Sequence, residues 1–286
     1  SIGNLAQKHV ILLTDGENHN ETTAQLDSAI ANCIGHFQVD ARGVGVDWKV
    51  AEIRKIAQAL LGSVDIIGDP NQLSAVFAEL MRNSMSRGVA NAELRVWIPQ
   101  GAQVLFIRQV SPTVEDLSGR GTPVNALTMS YPTGSWGDEE RDYHVAVRLP
   151  AKAVGQEQLA ARVQLAVGAD LLTQGLVKAK WSSDNNLTAQ INPEVAHYTG
   201  QAELAQMIQE GLSARSAGDE RTATTKLGRA VQLATETGNA EATAKLRKVV
   251  DITDARTGTV RLRRAVDKAD EMALDTASTK TTRIRS

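Results

Sequence analysis

The chain has 286 residues, enough for two or three domains with their own cores. An apolar share of 42% with only 3% aromatics describes a folded chain whose cores are built from Ala, Val, Leu and Ile, and excludes a disordered one. A net charge of -2 provides no field to gather nucleic acid or anionic lipid, and no run approaches the ~18 apolar residues of a membrane helix. The lone Cys33 has no partner for an internal disulfide; it reads as a small buried residue and fits a reducing cytoplasm.

The first stretch alternates short apolar runs with amphipathic ones. His9 to Thr14 reads as a buried strand, Asp15 to Asn18 as a polar turn, and Thr22 to Gly35 as a helix with Leu26, Ile30, Cys33 and Ile34 on one face. Val39 to Val46 is the next strand, Trp48 to Leu60 the next helix, and Val64 to Ile67 a short third strand. Asp69-Pro70 opens a last helix whose stripe is Leu73, Val76, Phe77, Leu80 and Met81, and Arg87-Gly88 closes it. Strands joined by helices in this way predict a parallel sheet, an α/β domain over residues 1–88.

From residue 89 the period changes to two. Leu94, Val96 and Ile98 alternate with outward residues, as do Val145 to Leu149, Val163 to Val167 and Val177 to Trp181. Turn-forming residues cluster at Gly119 to Pro123, Pro132 to Asp138 and Ser182 to Asn186, which predicts an antiparallel β-sandwich over 89–197. An Ala-rich region follows, with helices expected at Gln201 to Ala217, Asp219 to Thr237, Asn239 to Val250 and Thr259 to Leu274. They form a helical bundle over 198–275, and Gly218-Asp219 and Gly238-Asn239 each place a helix-ending Gly before an N-cap. Residues 276–286 carry Lys280, Arg283 and Arg285 and no acid, and are expected as a flexible basic tail.

The most informative string is the strand end Leu12-Leu13-Thr14-Asp15-Gly16-Glu17. Ligands of open α/β sheets collect at the carboxyl ends of the strands, Asp is a hard oxygen donor suited to Mg²⁺, and Gly16 lets the backbone turn away. The plainer reading of Asp15 is a turn or capping residue. The order that follows is a helix, a strand carrying Gly43-Val44-Gly45-Val46-Asp47, a helix, a short strand and a final helix. With that order, the Thr14-Asp15-Gly16 strand end resembles the second half of a von Willebrand factor A domain. The resemblance covers roughly residues 1 to 87, and the later regions are similar to those of actinobacterial multidomain members.

The resemblance implies a Rossmann-like half-domain and a metal-ion-dependent adhesion site. In the family, Mg²⁺ or another divalent cation is held by an Asp-x-Ser-x-Ser loop, a Thr of a middle loop and the Asp of Thr-Asp-Gly. Only Asp15 carries over as a metal ligand; the chain contains no Asp-x-Ser-x-Ser string, and it opens at Ser1 without a methionine. One carboxylate does not replace a shell of about six oxygens. The remaining N-terminal part of the domain is therefore expected as a separate chain or fragment, which would also cover an otherwise open sheet. The implied action is ligand exchange, with an acidic residue of a protein partner filling the open metal position.

Other motifs carry less. Gly43-Val44-Gly45 lacks the third Gly of a dinucleotide loop, with Trp48 in its place, and reads as strand packing, while Asp15, Glu17 and His19 together read as a solvated loop. His9, His19, His36, His144 and His197 are scattered, and neither a zinc-protease helix motif, a nucleophile elbow nor a phosphate-binding loop is present, so no enzyme is expected. Asp138 to Asp142 reads as an exposed turn. In the tail, Thr281 with Ile284 three residues on is the candidate phosphorylation site, set against a plain solubilising tail. Two functions follow: a Mg²⁺-dependent protein-binding module, or a signalling scaffold with a vestigial metal site whose helical region and phosphorylatable tail recruit partners.

Overall fold

Three short strands, β1 (His9–Thr14), β2 (Gln38–Val44) and β3 (Val64–Ile67), pair in parallel in the order β1-β2-β3. They belong to a computed structural model that describes residues 8–283. Helices α1 (Thr23–Cys33), α2 (Val50–Ala59) and α3 (Leu73–Met85) alternate with them, as the hydrophobic period requires. Thr22 starts α1 through a reciprocal cap with Gln25, and Asp69-Pro70 starts a single 3₁₀ turn that runs into α3. Along α2, the one-sided spacing of Val50, Ile53 and Ala57 buries that face against Ala41 of β2. Trp48 completes this cluster, lying so close over β2 that a Cβ on Gly43 would sit 1.8 Å from the indole ring. The Gly43-Val44-Gly45 string thus serves Trp48, whose indole N–H donates to the Gly45 carbonyl at 3.0 Å.

One buried acid ties this layer together. Asp40 accepts from the Ser63 N–H and hydroxyl at 2.7 Å each, and its other oxygen meets His9 Nε2 at 2.8 Å. His9 Nδ1 in turn meets the Ser84 hydroxyl at 2.6 Å. Four segments (β1, β2, the entry to β3, and the end of α3) are thereby joined through side chains, with His9 and Asp40 each only 6% exposed. A buried carboxylate is tolerated only when its lone pairs are filled, and here three donors point at it.

The helical region packs in the same compact unit as this sheet: one unit is drawn from the residues up to Met85, Pro112–Val114 and the residues from His197 on. Helices α4 (Asn185–Ala189), α5 (Pro193–Ser216), α6 (Glu220–Glu236) and α7 (Ala240–Val249) follow the second unit's strands, and Asp219 and Asn239 cap α6 and α7 with their side chains. Leu204, Ile208, Leu227, Val231 and Leu246 form the core of this region. The single helix expected over Thr259 to Leu274 is corrected. Val250–Asp254 and Thr259–Leu262 form an antiparallel hairpin, and only Lys268–Ala277, here α8, is helical. The reason lies in Thr257-Gly258-Thr259-Val260: Gly258 takes a left-handed φ of 69°, and β-branched residues favour the strand. The hairpin turn presses on α6 so tightly that a Cβ on Gly228 would lie 2.3 Å from the Gly258 carbonyl oxygen.

Helix α8 faces two cores. Met272 belongs to the cluster of Ala41, Trp48, Val50, Ile53 and Ala57, whereas Leu274 belongs to the helical core. Residues two apart on a helix point to different sides, so α8 is wedged between the two clusters. Arg54 of α2 reaches the Asp275 carboxylate at 2.7 Å, and Lys280 reaches Asp65 of β3 at 2.6 Å. The flexible tail expected from residue 276 is likewise corrected through residue 283. Thr276, Ala277 and Ser278 are buried, Gln209 donates to the Ser278 hydroxyl, and buried Gln201 accepts from the Thr282 N–H while donating to its carbonyl. Basic residues without nearby acids looked like a solvated tail because Asp65, the acid that Lys280 meets, lies more than 200 residues away in sequence.

The second compact unit holds Ser86–Ser111 and Glu115–Ala196. One antiparallel sheet has the order β11-β10-β4-β8-β7 and the other β6-β5-β9. The strands are β4 (Val89–Trp97), β5 (Gln103–Ser111), β6 (Glu115–Asp116), β7 (Thr122–Asn125), β8 (Thr128–Trp136), β9 (Asp142–Arg148), β10 (Glu157–Val167) and β11 (Asp170–Lys180). Leu94, Val96 and Tyr131 of the first sheet share one cluster with Ile107 of the second and with Leu117. The turn expected at Pro132 to Asp138 is also corrected, because β8 continues to Trp136. β7 pairs with β8 only as far as Ser130, so Pro132 sits where that side of β8 needs no N–H donor. Arg141 takes up the Thr133 and Ser135 carbonyls there, at 2.6 and 2.8 Å. Among the described residues no helix is long and apolar enough to cross a membrane.

The Asp40 network gives a stability prediction. Asp40→Ala leaves the Ser63 donors and His9 without their buried acceptor, so urea unfolding is expected to show a loss of about 3 kcal/mol or more. A loss under about 0.5 kcal/mol, the level of an ordinary surface substitution, would contradict the network's role.

Candidate functional site

Asp15 stands where the parallel sheet places it, directly after β1 at the carboxyl rim. The turn beyond it is built locally: the Thr14 hydroxyl donates to the Gly16 carbonyl, and Asn18 Oδ1 accepts from the Asn20 and Glu21 N–H groups. That turn leads into the Thr22 cap, so the path from strand to helix is fixed at both ends. Asp15 itself is exposed and makes no hydrogen bond or ion pair among the described residues. Its carboxylate faces water and is open to a ligand.

The neighbouring rim is set by charge. Glu17 pairs with Lys49, the residue that caps α2, at 3.0 Å, which links the loop after β1 to the loop after β2. The Lys49 hydrogen bond holds the Glu17 carboxyl below the usual carboxylate range, and Glu17 correspondingly raises Lys49. Gly45 donates its N–H to the Ile67 carbonyl, which pins the end of β2 against β3. Asp15, Glu17 and His19 do not form a ligand cluster: among the described residues no group of three or more His, Cys, Asp or Glu is placed to hold a metal ion.

Thr281 is held. Its N–H donates to the Pro112 carbonyl at 2.9 Å, and the Thr282 carbonyl next to it accepts from His197 and Gln201. Its backbone is thereby fixed, and the residue is half-buried. Ile284, the other half of that candidate motif, lies outside the described residues.

Sequence reasoning missed the Ser84, His9, Asp40 and Ser63 chain. The available signal was an acid at position 40 in an otherwise inward-packing strand, where only a paired carboxylate is affordable. A hydroxyl, an imidazole and a carboxylate in line are also the parts of a nucleophilic triad. Here both ring nitrogens and both carboxylate oxygens are engaged, and the side chains of His9 and Asp40 are each 6% exposed.

The model of the von Willebrand factor type A C-terminal domain matches residues 232–278, the span from α6 through α8. A solved structure described as von Willebrand factor type A from Catenulispora acidiphila is 51% identical, with a TM-score of 0.92 over 97% of this chain. The chain belongs to the von Willebrand factor type A family, with an α/β fold of mixed sheets and helices, and it spans 66% of that actinobacterial relative's length. The ArnB paralog VWA2 from Sulfolobus acidocaldarius is 15% identical over 95% of this chain and 63% of its own, with a TM-score of 0.47. The human COPII-coat protein Sec24c is 10% identical over 96% of this chain and 39% of its own, also with a TM-score of 0.47. No curated protein matches the chain.

The Glu17–Lys49 pair sets a pH expectation. A carboxyl with a depressed folded pKa adds stability above its unfolded value and loses it as pH falls through the folded one. Lys49→Gln should therefore return the Glu17 titration to the ordinary carboxylate range, read by NMR of the side-chain carbon, and remove that small acid-side slope. An unchanged Glu17 titration would contradict the pairing.

Proposed function

We propose that the chain is the larger part of a non-enzymatic protein-binding module that works through a divalent cation, most simply Mg²⁺, at the carboxyl rim of its parallel sheet. Asp15 supplies one oxygen. The other positions are filled by water, by donors beyond residues 8–283 and by a carboxylate of the protein partner. The observation that carries this reading is the exposed, unengaged Asp15 at the end of β1 in a chain of this family. A further strand of the domain would pair with β1, whose outer edge has no strand beside it among the described residues. Exposed Phe77, Met81 and Met85 on α3 support the same reading, since such apolar side chains are normally covered. In this reading the two antiparallel sheets act as a β-sandwich, and the C-terminal helices act as a bundle that braces the parallel sheet.

A second reading keeps the family and drops the metal: a scaffold with a vestigial site, whose helical region and tail recruit partners. The lack of a ligand cluster favours it, because among the described residues no group of three or more His, Cys, Asp or Glu is placed to hold a metal ion.

Capture of proteins from an actinobacterial lysate separates the two. The metal-dependent module predicts that captured proteins are lost on chelation, return with Mg²⁺, and are lost in Asp15→Ala, whose unfolding free energy stays within about 0.5 kcal/mol of the parent. Capture that ignores both chelator and Asp15→Ala contradicts it, and dependence on residues 276–283 instead supports the scaffold.

A further inference from the structure

The segment Thr279 to Arg283 is held in the way that a protein holds a peptide ligand. Within the first compact unit it pairs as a strand with Pro112–Val114. The Val114 N–H donates to the Thr279 carbonyl at 2.7 Å and the Thr281 N–H donates to the Pro112 carbonyl at 2.9 Å, on either side of the antiparallel bridge between Thr113 and Lys280. Gln201 then takes both backbone groups of Thr282: its side-chain oxygen accepts from the N–H at 2.8 Å, and its nitrogen donates to the carbonyl at 2.6 Å. Bonds of this kind accept any extended backbone, and side-chain contacts supply the selection. Two such contacts are present, the Lys280 ammonium on Asp65 at 2.6 Å and the Thr282 hydroxyl on the Gln201 oxygen at 3.3 Å.

The occupant and its seat differ in what they bury. Thr279 to Arg283 has no apolar side chain, so its release exposes no core, and segments of that kind open at the low end of a protein's range of free energies. Gln201 is only 1% exposed, and Asn239, which donates to it at 3.3 Å, only 4%. A buried amide stripped of its partners is penalised until another backbone replaces them. We propose that the seat is a peptide-binding site filled in cis by the chain's own segment, and that its ligand in trans is an extended Lys-x-Thr segment of a partner protein. That segment adds as a strand to Pro112–Val114, sets its lysine on Asp65 and offers the backbone of its threonine to Gln201. The cis segment competes at an effective concentration on the order of millimolar, so the partner gains access where that segment is loosened. The site uses neither Asp15 nor the carboxyl rim and is independent of the cation reading.

The test is fluorescence anisotropy of a labelled peptide, Ser278 to Arg283, titrated with the whole chain. In the chain, Lys280→Ala with Thr282→Pro removes the ion pair and the N–H that Gln201 accepts, and leaves the seat untouched. That variant should bind the peptide at least about tenfold more tightly than the parent does. The gain should disappear when the peptide carries Lys280→Ala, and when Asp65→Asn is added to the chain. Hydrogen exchange of the parent reads the opening with no substitution at all, whatever the stability of the variant: the Thr281, Thr282 and Val114 amides should open together and at a lower free energy than those of α6. Equal affinity of parent and variant, binding that ignores Lys280→Ala in the peptide, or Thr281 and Thr282 amides that open only together with α6 overturns the proposal.

Discussion

Helix α8 is held between two cores, and the arrangement of the first compact unit depends on that wedge. Met272 enters the cluster around Trp48 and Ala41 while Leu274 enters the helical core, so neither cluster is closed without the same ten-residue helix. A buried Met or Leu side chain is stabilised by roughly 1.5–3 kcal/mol relative to its exposed state, and truncating one in a core costs about 2–5 kcal/mol. Both values are large beside a total folding free energy of about 5–15 kcal/mol. The ion pairs Arg54–Asp275 and Lys280–Asp65 are partly exposed and contribute less; their role is to fix the angle at which the helix lies on α2 and β3. The stretch matched by the family model thus acts as the brace of the sheet and not as an appendage.

Given that brace, the Asp40 tie determines where the rim loops emerge. By joining β1 to β2, to the turn before β3 and to the end of α3, it fixes the amino end of β1 and hence the direction in which Thr14-Asp15-Gly16 leaves the sheet. The opposite end of the strand then carries the polar residues of the rim loop. This division of labour is common: a rigid scaffold supplies position, and a loop supplies chemistry. Glu17 and Lys49 neutralise each other beside Asp15, which is itself exposed.

Much of the fold was legible from period alone. The boundaries of β1 and β3 follow directly from the apolar runs, and the Gly-Asp and Gly-Asn junctions at 218 and 238 mark the caps of α6 and α7. Of the failures, the first was a misread period and the others came from long-range contacts. Val260 and Leu262 alternate at the strand period between Ala-rich helical stretches, and the turn at Gly258 packs on Gly228. Pro132 and Gly134 look like a turn but lie in β8, whose free side is satisfied by Arg141. The tail looked solvated because its partners, Asp65, Gln201 and Pro112, are remote in sequence. At the rim, Asp15 was visible from its string, whereas the tie that positions it was hidden because its four members come from four separate segments.

The central claim is that sheet and C-terminal helices unfold as one body. Native-state hydrogen exchange in increasing denaturant measures it directly. Amides of β2, α6 and α8 should merge into a single opening with a shared free energy and a shared denaturant dependence. If α6 through α8 open at a distinctly lower free energy while β2 stays protected, the wedge is not the brace described and the account of the rim above it fails.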